Sequence, residues 1–312
     1  MILAVSLNPA LDVTHHVAGV DWSGVNRPRQ VTVAPGGKAL NVARTLHALG
    51  CEVLVIGLAG GVTGESVRAG LARSGVPGRF APVAGETRRT FAVVDTSNHD
   101  TALFNEPGPL VSVREYHEFL VLYEDALTRC GAVVLSGSLP PGLPEDTYAG
   151  LAARAAAAAV PVVLDAGGTV LRHGAAAGPA IVKPNLAELQ DAVRRPLSGR
   201  AETARAAGEL RDAGAGAVVV SLGGDGLLAV TGDGTWHAAP PGQVAGNPTG
   251  AGDAVVAGLA HGLVLGRPWA ERLRHAAALG TAAVAAPGAG QFALADYERA
   301  LAGTQVTRWA DG

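Results

Sequence analysis

The sequence Ile2-Leu-Ala-Val-Ser-Leu7 has the length of a strand and is apolar at almost every position. Similar short runs recur along the chain and alternate with longer, Ala- and Leu-rich stretches of helical length. Strands that are apolar on both faces are typical of a parallel sheet with helices on both sides. The alternation therefore predicts an α/β fold with a mostly parallel sheet and helices on both faces.

The same pattern gives the positions of the predicted elements. The predicted strands are Ile2–Leu7, Val53–Leu58, Ala132–Leu135, Val162–Leu164, Ala180–Val182, Ala217–Leu222 and Leu227–Thr231. The predicted helices are Lys38–Leu49, Gly64–Ser74, Val113–Arg129, Glu145–Ala159, Ala201–Ala213, Gly252–Leu265, Trp269–Ala286 and Leu294–Leu301.

Two half-polar segments, residues 13–34 and 88–106, interrupt this alternation. Both have the pattern of strands joined by hairpin turns, most clearly Thr90–Asp95 and Thr101–Phe104 around Ser97-Asn-His-Asp100. We expect them to form a small sheet outside the main one. The expected core then comprises residues 1–12, 35–87 and 107–312.

Length and composition limit the classes of function. The chain has 312 residues, 48% of them hydrophobic, which is enough for one large domain or a domain with an elaboration. A net charge of −3 gives no electrostatic attraction for nucleic acid or an acidic membrane surface. Apolar runs are broken before about 18 residues, so no membrane span is expected. With no recognisable signal peptide either, we expect a cytoplasmic protein without nucleic-acid or membrane partners.

Residues 248–256, Pro-Thr-Gly-Ala-Gly-Asp-Ala-Val-Val, carry the strongest functional signal. A glycine-rich loop that leads into a helix offers free N–H groups and a positive dipole end to an anion. Asp253 lies at that helix start, where an aspartate is also a common cap. A carboxylate beside a phosphate site has a second possible role, which is to deprotonate the hydroxyl that attacks a phosphoryl group.

The chain contains only two lysines among its 24 basic residues, Lys38 and Lys183. A biased genome composition explains the scarcity but not the positions, because Lys38 follows Pro35-Gly-Gly37 and Lys183 opens Lys-Pro-Asn185. An ammonium is a compact point charge that arginine does not replace in a tight phosphate site. Both lysines are therefore candidate functional residues.

Polar turns follow several of the predicted strands, where ligands bind to an open parallel sheet. Ordinary turn chemistry favours the same residue types, so each turn alone is a weak signal. The turns are Asn8–Asp12, Ser136–Pro140, Asp165, Lys183–Asn185 and Ser221–Gly224.

The chain has neither a GxxxxGK[ST] nor a GxGxxG motif, which counts against a P-loop enzyme and a dinucleotide-dependent dehydrogenase.

The chain resembles the phosphofructokinase B family of the ribokinase superfamily from about residue 2 to residue 300, and within it the branch of 1-phosphofructokinases and tagatose-6-phosphate kinases. The resemblance depends on seven motifs in order. They are Asn8-Pro-Ala-Leu-Asp12, Gly36-Gly-Lys-Ala-Leu-Asn-Val-Ala-Arg44, Glu86-Thr-Arg88, Ser136-Gly-Ser-Leu-Pro140, Lys183-Pro-Asn-Leu-Ala-Glu-Leu189, Ser221-Leu-Gly-Gly-Asp-Gly226 and Gly250-Ala-Gly-Asp253.

The resemblance implies a ribokinase-like fold and a role for each motif. Asp253 would be the general base, with the N–H groups of Gly250, Ala251 and Gly252 as the anion hole. The residues implied to bind the sugar phosphate are Asp12, Gly36, Gly37, Lys38, Asn41, Arg88 and Ser138. Within this set, Asp12 and Asn41 would bind sugar hydroxyls, and Lys38 and Arg88 the phosphate already on the sugar.

The resemblance also implies ATP and Mg²⁺ as cofactors. Asn185 and Glu188 would position Mg²⁺, largely through water. The residues implied to border the nucleotide are Lys183, Asn185, Ser221, Gly223 and Gly226. The two half-polar segments would be a β-sheet lid that closes over the sugar and pairs two subunits into a homodimer.

The expected reaction is phosphorylation of fructose 1-phosphate by ATP, with tagatose 6-phosphate and fructose 6-phosphate as alternative substrates. Ala39, where the family usually has glycine, and Pro248, which is more typical of tagatose-6-phosphate kinases, leave the sugar open. An alternative of another class is a catalytically silent sugar-phosphate sensor on the same fold. The intact Gly250–Asp253 loop argues against a sensor, which needs neither the base nor the anion hole.

Overall fold

The computed structural model describes residues 1–98, 100–242, 244 and 246–309. Its strands are β1 (Ile2–Ser6), β2 (Ala10–Val17), β3 (Gln30–Gly36), β4 (Val53–Ala59), β5 (Gly78–Pro82), β6 (Arg88–Asp95), β7 (Thr101–Asn105), β8 (Ala132–Ser136), β9 (Val162–Asp165), β10 (Ile181–Val182), β11 (Val218–Ser221), β12 (Leu227–Thr231), β13 (Gly234–Ala239) and β14 (Gln305–Arg308). Its α-helices are α1 (Lys38–Ala48), α2 (Gly61–Arg73), α3 (Val113–Leu127), α4 (Thr147–Ala157), α5 (Gly168–Ala176), α6 (Leu186–Val193), α7 (Gly199–Asp212), α8 (Ala251–Val264), α9 (Trp269–Val284) and α10 (Leu294–Gly303).

Ten of the strands form one sheet in the order β5-β4-β1-β8-β9-β10-β11-β12-β13-β14. The seven strands from β5 to β11 are parallel to one another. The last three, β12, β13 and β14, are antiparallel additions at one edge. The sheet is thus mostly parallel, and the predicted α/β class is confirmed.

Side chains alternate along β1 between two hydrophobic clusters, one on each face of the sheet. Leu3 and Val5 belong to a cluster that includes Phe119 and Tyr123 of α3. Ile2 and Ala4 belong to the other cluster, to which α1, α8 and α9 contribute. Burial on both faces explains why β1 is apolar at successive positions.

A separate four-stranded sheet has the order β3-β2-β6-β7. The pairs β2–β3 and β6–β7 are antiparallel, whereas β2 and β6 are parallel, with Ala10 opposite Arg88. These strands come from the two half-polar segments, and β2 and β3 extend beyond residues 13–34 to Ala10 and Gly36. The predicted hairpin turn includes His99, which lies outside the described residues. The division into core and lid stays a proposal.

The structure contains elements that the sequence pattern did not predict, namely α5, α6, β5, β13 and β14. The strand β5 contains Gly78 and Pro82 and lies at the sheet edge, where a proline is tolerated. At the other edge, β14 is mostly exposed, so it lacks the apolar run that marks the inner strands. Among the described residues, no helix has both the length and the apolar character needed to cross a membrane.

Candidate active site

The loop before α8 turns sharply at Gly250 and directs the start of this helix toward the ends of the parallel strands. Gly250 has a φ of +87° in the left-handed region, and a Cβ there would lie 2.8 Å from the Cβ of Ala289. Only glycine satisfies both conditions without strain. Asp253 follows in the first turn of α8 and is 7% exposed.

The Asp253 carboxylate is held by a residue from another helix. Asn41 of α1 donates a hydrogen bond of 2.8 Å from Nδ2 to Oδ2 of Asp253, and the Asn41 side chain is itself buried. Burial and, to a smaller extent, the nearby negative charge of Asp165 raise the pKa of Asp253 to about 7, although Asn41, Lys38 and Lys183 oppose the rise. A carboxyl group with a pKa close to neutrality can exchange a proton with a substrate at physiological pH.

Asp165, at the end of β9, is the point where both lysines of the chain meet. It is 1% exposed, and its Oδ1 lies 3.3 Å from Nζ of Lys38 and 3.3 Å from Nζ of Lys183. Its other oxygen, Oδ2, accepts a 3.0 Å hydrogen bond from Oγ of Ser136, the residue opposite it on β8. Burial favours the neutral acid, but the two ammonium groups outweigh it and hold the pKa of Asp165 below its usual range.

The two lysines reach Asp165 from different elements. Lys183 follows β10, is 3% exposed, and places Nζ 3.6 Å from the position that a Cβ on Gly252 would take. Lys38 begins α1, is partly exposed, and also lies 3.2 Å from Oε1 of Glu188. Burial lowers the pKa of Lys38, but the carboxylates of Asp165, Glu188 and Asp253 raise it above its usual range.

Asn185 and Glu188 form a capping box at the start of α6. Oδ1 of Asn185 accepts a 2.8 Å hydrogen bond from the Glu188 N–H, and Oε2 of Glu188 accepts a 2.8 Å bond from the Asn185 N–H. This arrangement satisfies the helix terminus and leaves Oε1 of Glu188 directed at Lys38. The Asn-x-x-Glu spacing therefore has a structural explanation beside the predicted metal role.

The predicted nucleotide residues lie in the neighbouring connections along the sheet. Ser221 ends β11 and pairs as an isolated bridge with Asn185. Gly223 opens a short 3-10 turn, and Gly226 closes it with a φ of +86°. A Cβ on Gly226 would lie 2.0 Å from the carbonyl oxygen of Ala238, so only glycine fits this turn.

On the other side of Asp253, residues of the small sheet approach the end of β1. Arg88, at the start of β6, donates a 3.1 Å hydrogen bond from Nε to the carbonyl oxygen of Asn8. Burial raises the pKa of Asp12, and a hydrogen bond from Thr90 and the charge of Arg88 oppose this effect. A Cβ on Gly36 would lie 2.0 Å from Oδ2 of Asp12, so the missing side chain leaves room for this carboxylate.

Ser138 is connected to Arg88 through Asn8, which forms hydrogen bonds with both residues. Nδ2 of Asn8 donates hydrogen bonds to Oγ of Ser138, at 3.1 Å, and to the carbonyl oxygen of Pro107, at 3.0 Å. Asn8 thus connects the predicted substrate residues Arg88 and Ser138, although no role of its own could be predicted for it.

Two charged residues of the site, Arg44 and Asp165, were not predicted to have a definite role. Arg44 of α1 contributes a positive charge near Asp12, and its position three residues after Asn41 is the signal that it shares a helix face with that residue. Asp165 had either a turn-forming or a lining role, and its two lysine partners are far from it in sequence.

The anion-hole residues are partly engaged within the loop itself. The N–H of Ala251 donates a 3.1 Å hydrogen bond to the carbonyl oxygen of Pro248. Gly37, with a φ of +100°, occupies the N-cap of α1. An anion at the start of α8 would compete with Pro248 for the Ala251 donor.

A family model of pfkB family carbohydrate kinases matches residues 7–295. The chain belongs to this family. It is therefore a carbohydrate kinase, a phosphotransferase that carries a phosphoryl group from ATP to an alcohol acceptor.

Solved structures support the assignment. Phosphofructokinase-2 from Escherichia coli in complex with fructose-6-phosphate is 29% identical, with a TM-score of 0.88 over 96% of this chain and 98% of that one. A possible 1-phosphofructokinase from Thermotoga maritima is 26% identical, with a TM-score of 0.89 over 99% of both chains. A ribokinase from Arabidopsis thaliana with ribose and ATP, at 20% identity and a TM-score of 0.76 over 96% of this chain and 98% of that one, shares the fold.

Proposed function

We propose that this kinase transfers the γ-phosphoryl group of ATP to the 6-hydroxyl of fructose 1-phosphate and produces fructose 1,6-bisphosphate. The observation that carries the proposal is the buried Asp253 carboxylate at the start of α8, with a pKa of about 7 and two lysines nearby. A carboxylate in this position has the basicity to accept the proton of the attacking hydroxyl.

The surroundings of Asp253 supply the other needs of phosphoryl transfer. Charge develops on the transferred group and on the bridging oxygen, and it is stabilised by donors fixed in advance. The N–H groups of Gly250, Ala251 and Gly252 lie at the positive end of α8, and Lys183 lies beside Gly252. The base would therefore act on the attacking hydroxyl, and the anion hole on the phosphoryl group that this hydroxyl attacks.

Arg88 supports a sugar that already carries a phosphate. It lies beside Asp12, so the two residues together offer a carboxylate for hydroxyls and a guanidinium for a phosphate. The Lys38 ammonium lies against Asp165 and Glu188. Its contact with the sugar phosphate stays a prediction.

Mg²⁺ fits the chemistry of the same carboxylates. Oxygens of Asp165 and Glu188 already face one cation, the Lys38 ammonium, and Mg²⁺ is commonly bound through one or two carboxylates together with substrate phosphates and water. Among residues 1–98, 100–242, 244 and 246–309, no group of three or more His, Cys, Asp or Glu side chains could hold a metal alone. We propose that Glu188 and Asn185 hold Mg²⁺ through water. Bound with ATP, the ion would neutralise phosphate charge.

The small sheet supports the proposed lid and homodimer. It exposes large apolar side chains, with Val31 and Val33 on β3 at 51% and 57% and Leu103 and Phe104 on β7 both at 52% exposure. Large exposed apolar groups on a sheet of this size favour a protein contact. A cytoplasmic location and the homodimer itself stay predictions.

A coupled assay of ADP release tests the proposal with fructose 1-phosphate, fructose 6-phosphate, tagatose 6-phosphate, fructose and ribose at equal concentrations. A strong preference for fructose 1-phosphate is the expected result. Preference for tagatose 6-phosphate or fructose 6-phosphate would replace the substrate but keep the kinase chemistry. Turnover with unphosphorylated sugars alone would contradict the phosphate pocket.

Fructose 6-phosphate is the second candidate substrate because a similar structure contains it. The silent sensor remains the alternative of another class, and ADP release with none of the five sugars would favour it. The intact Asp253 and its bond to Asn41 support an active enzyme, since a sensor has no use for a base with a raised pKa.

A further inference from the structure

We propose that Asp165 is a positioning residue of the phosphoryl-transfer site, which holds the ammonium groups of Lys38 and Lys183 beside the N-terminus of α8. The inference rests on the proposed function, because the two lysines matter to catalysis only if a phosphoryl group passes between them and Asp253. The proposal gives Asp165 a specific role, whereas the sequence alone is compatible with either a turn-forming or a site-lining residue.

Both lysines of the chain converge on one oxygen of Asp165. The chain contains 24 basic residues and only two lysines, and both place Nζ 3.3 Å from Oδ1 of Asp165. They come from different connections, one at the start of α1 and one after β10. A turn-forming aspartate would bond to its own loop, whereas this carboxylate joins two distant segments.

Both members of the Asp165–Lys183 pair are buried. Asp165 and Lys183 are 1% and 3% exposed, so each would be costly to bury without its partner. Lys38 is shared with Glu188, which lies 3.2 Å from its ammonium, so the four groups form a linked cluster of two positive and two negative side chains. Nζ of Lys183 lies 3.6 Å from the Cβ position of Gly252, beside the N–H groups of the predicted anion hole. The contact with Asp165 therefore places this buried ammonium where an incoming phosphoryl group would meet it.

Proximity to the base gives the role a measurable signature. The groups that face Asp253 are Asn41 and Lys38 from α1, Asp165 from the end of β9 and Lys183 from the start of the β10 connection. The negative charge of Asp165 raises the pKa of Asp253, and the charge of Lys38 lowers it. Removal of either charge should therefore shift the acidic limb of the pH–rate profile, in opposite directions.

The test compares Asp165→Asn and Lys38→Met with the wild-type chain in ADP release, using Mg·ATP and the preferred sugar, from pH 5.5 to 9. We expect Asp165→Asn to lower kcat by about 100-fold, because misplaced charged groups cost this much in oriented reactions, with a smaller effect on the sugar KM. Its acidic limb should move to lower pH, whereas that of Lys38→Met should move to higher pH.

Ser136→Ala is the matched control. It removes the 3.0 Å hydrogen bond to the other oxygen of Asp165 but leaves both ion pairs. We expect its kcat within a few-fold of wild type and an unchanged acidic limb. A loss in Ser136→Ala as large as that in Asp165→Asn would show that general packing, and not the lysine contacts, explains the effect, and would overturn the proposal.

A double-mutant cycle and a charge-balanced variant protect the test from misfolding. In the Lys38→Met background, the further loss caused by Asp165→Asn should be clearly smaller than in the wild-type background, since residues that act as a unit are not additive. Asp165→Asn/Lys183→Met leaves no unpaired buried ammonium and replaces Asp165→Asn if that variant fails to fold. Independent, multiplicative losses with an unshifted acidic limb would contradict the proposal. The wild-type measurement alone tests the proposed function, so the two failures are distinguishable.

Discussion

Asn41 of α1 and Asp253 of α8 lie 212 residues apart in the chain. Nδ2 of Asn41 donates a buried hydrogen bond of 2.8 Å to Oδ2 of Asp253. The bond fixes the carboxylate that lies at the start of α8, within the predicted anion hole. It also opposes the effect of burial, because a donor to the carboxylate favours the ionised form. The position of the base and its proton affinity thus depend on the same contact.

We therefore expect Asn41→Ala to raise the pKa of Asp253 above about 7. A hydrogen bond to a charged group contributes roughly 1.5 to 3 kcal/mol, which corresponds to about one to two pH units. The acidic limb of kcat should move upward by this amount, so that activity falls at pH 7 and partly recovers at pH 9. The measurement is the pH dependence of kcat.

Thr45→Val is the control for Asn41→Ala, because Thr45 lies on the same helix and its hydroxyl donates a hydrogen bond to the backbone carbonyl of Asn41. Its acidic limb should stay in place. An Asn41→Ala profile that falls in amplitude without a shift would show that Asn41 binds the sugar but does not tune the base.

Arg88→Ala should raise the KM for the phosphorylated sugar by about 10- to 100-fold, since a charge-assisted contact of roughly 1.5 to 3 kcal/mol is lost. The KM for ATP should change little. Arg89→Ala is the matched control, because its neighbouring guanidinium is exposed and lies near Glu106. Equal losses for a phosphorylated and an unphosphorylated ketose would contradict a phosphate contact at Arg88.

Glu188→Gln should raise the Mg²⁺ concentration for half-maximal velocity by about 10-fold and leave the sugar KM unchanged. Glutamine still forms the capping box with Asn185, so the substitution removes the charge but keeps the helix terminus. Glu115→Gln provides the comparison, as Glu115 forms the same kind of capping box with Ser112 on α3. An identical Mg²⁺ dependence in both variants would argue against a metal role for Glu188.

Asp253→Asn should stabilise the folded protein at pH 8. The pKa of Asp253 is about 7 in the folded chain against 3.8 for an unperturbed carboxyl, so this group loses folded-state stability as pH rises between these values. Above about pH 7 the full free-energy cost of burying the ionised carboxylate applies. The asparagine variant avoids this cost, so its free energy of unfolding should be higher by roughly 2 to 4 kcal/mol. Urea unfolding at pH 8 and pH 5 measures it. The gain should shrink at pH 5, and an equal gain at both values would contradict burial of an ionisable carboxyl.

The inner strands could be predicted from the sequence because both faces are buried, so each is a continuous apolar run such as β1 or β11. The start of α8 could also be predicted, since Gly250 and Asp253 form a local signal at a helix terminus. The edge strand β14 could not be predicted, because it is mostly exposed and lacks the continuous apolar run of the inner strands.

The contacts of the site could not be predicted in the same way. Lys38 meets Asp165 across 127 residues, and Asn41 meets Asp253 across 212, so no sequence spacing indicates either pair. Side-chain identity pointed to Lys38, Asn41 and Asp253 as candidates. Only the fold gives their partners.

Single-turnover transfer of the γ-phosphoryl group from Mg·ATP to fructose 1-phosphate at pH 8, in wild type and Asp253→Asn, tests the central claim most directly. Loss of a general base predicts a rate lower by about 10²- to 10⁴-fold, with sugar and nucleotide affinities measured separately by calorimetry close to those of wild type. A rate in Asp253→Asn within tenfold of wild type, at unchanged affinities, would contradict the assignment of Asp253 as the base.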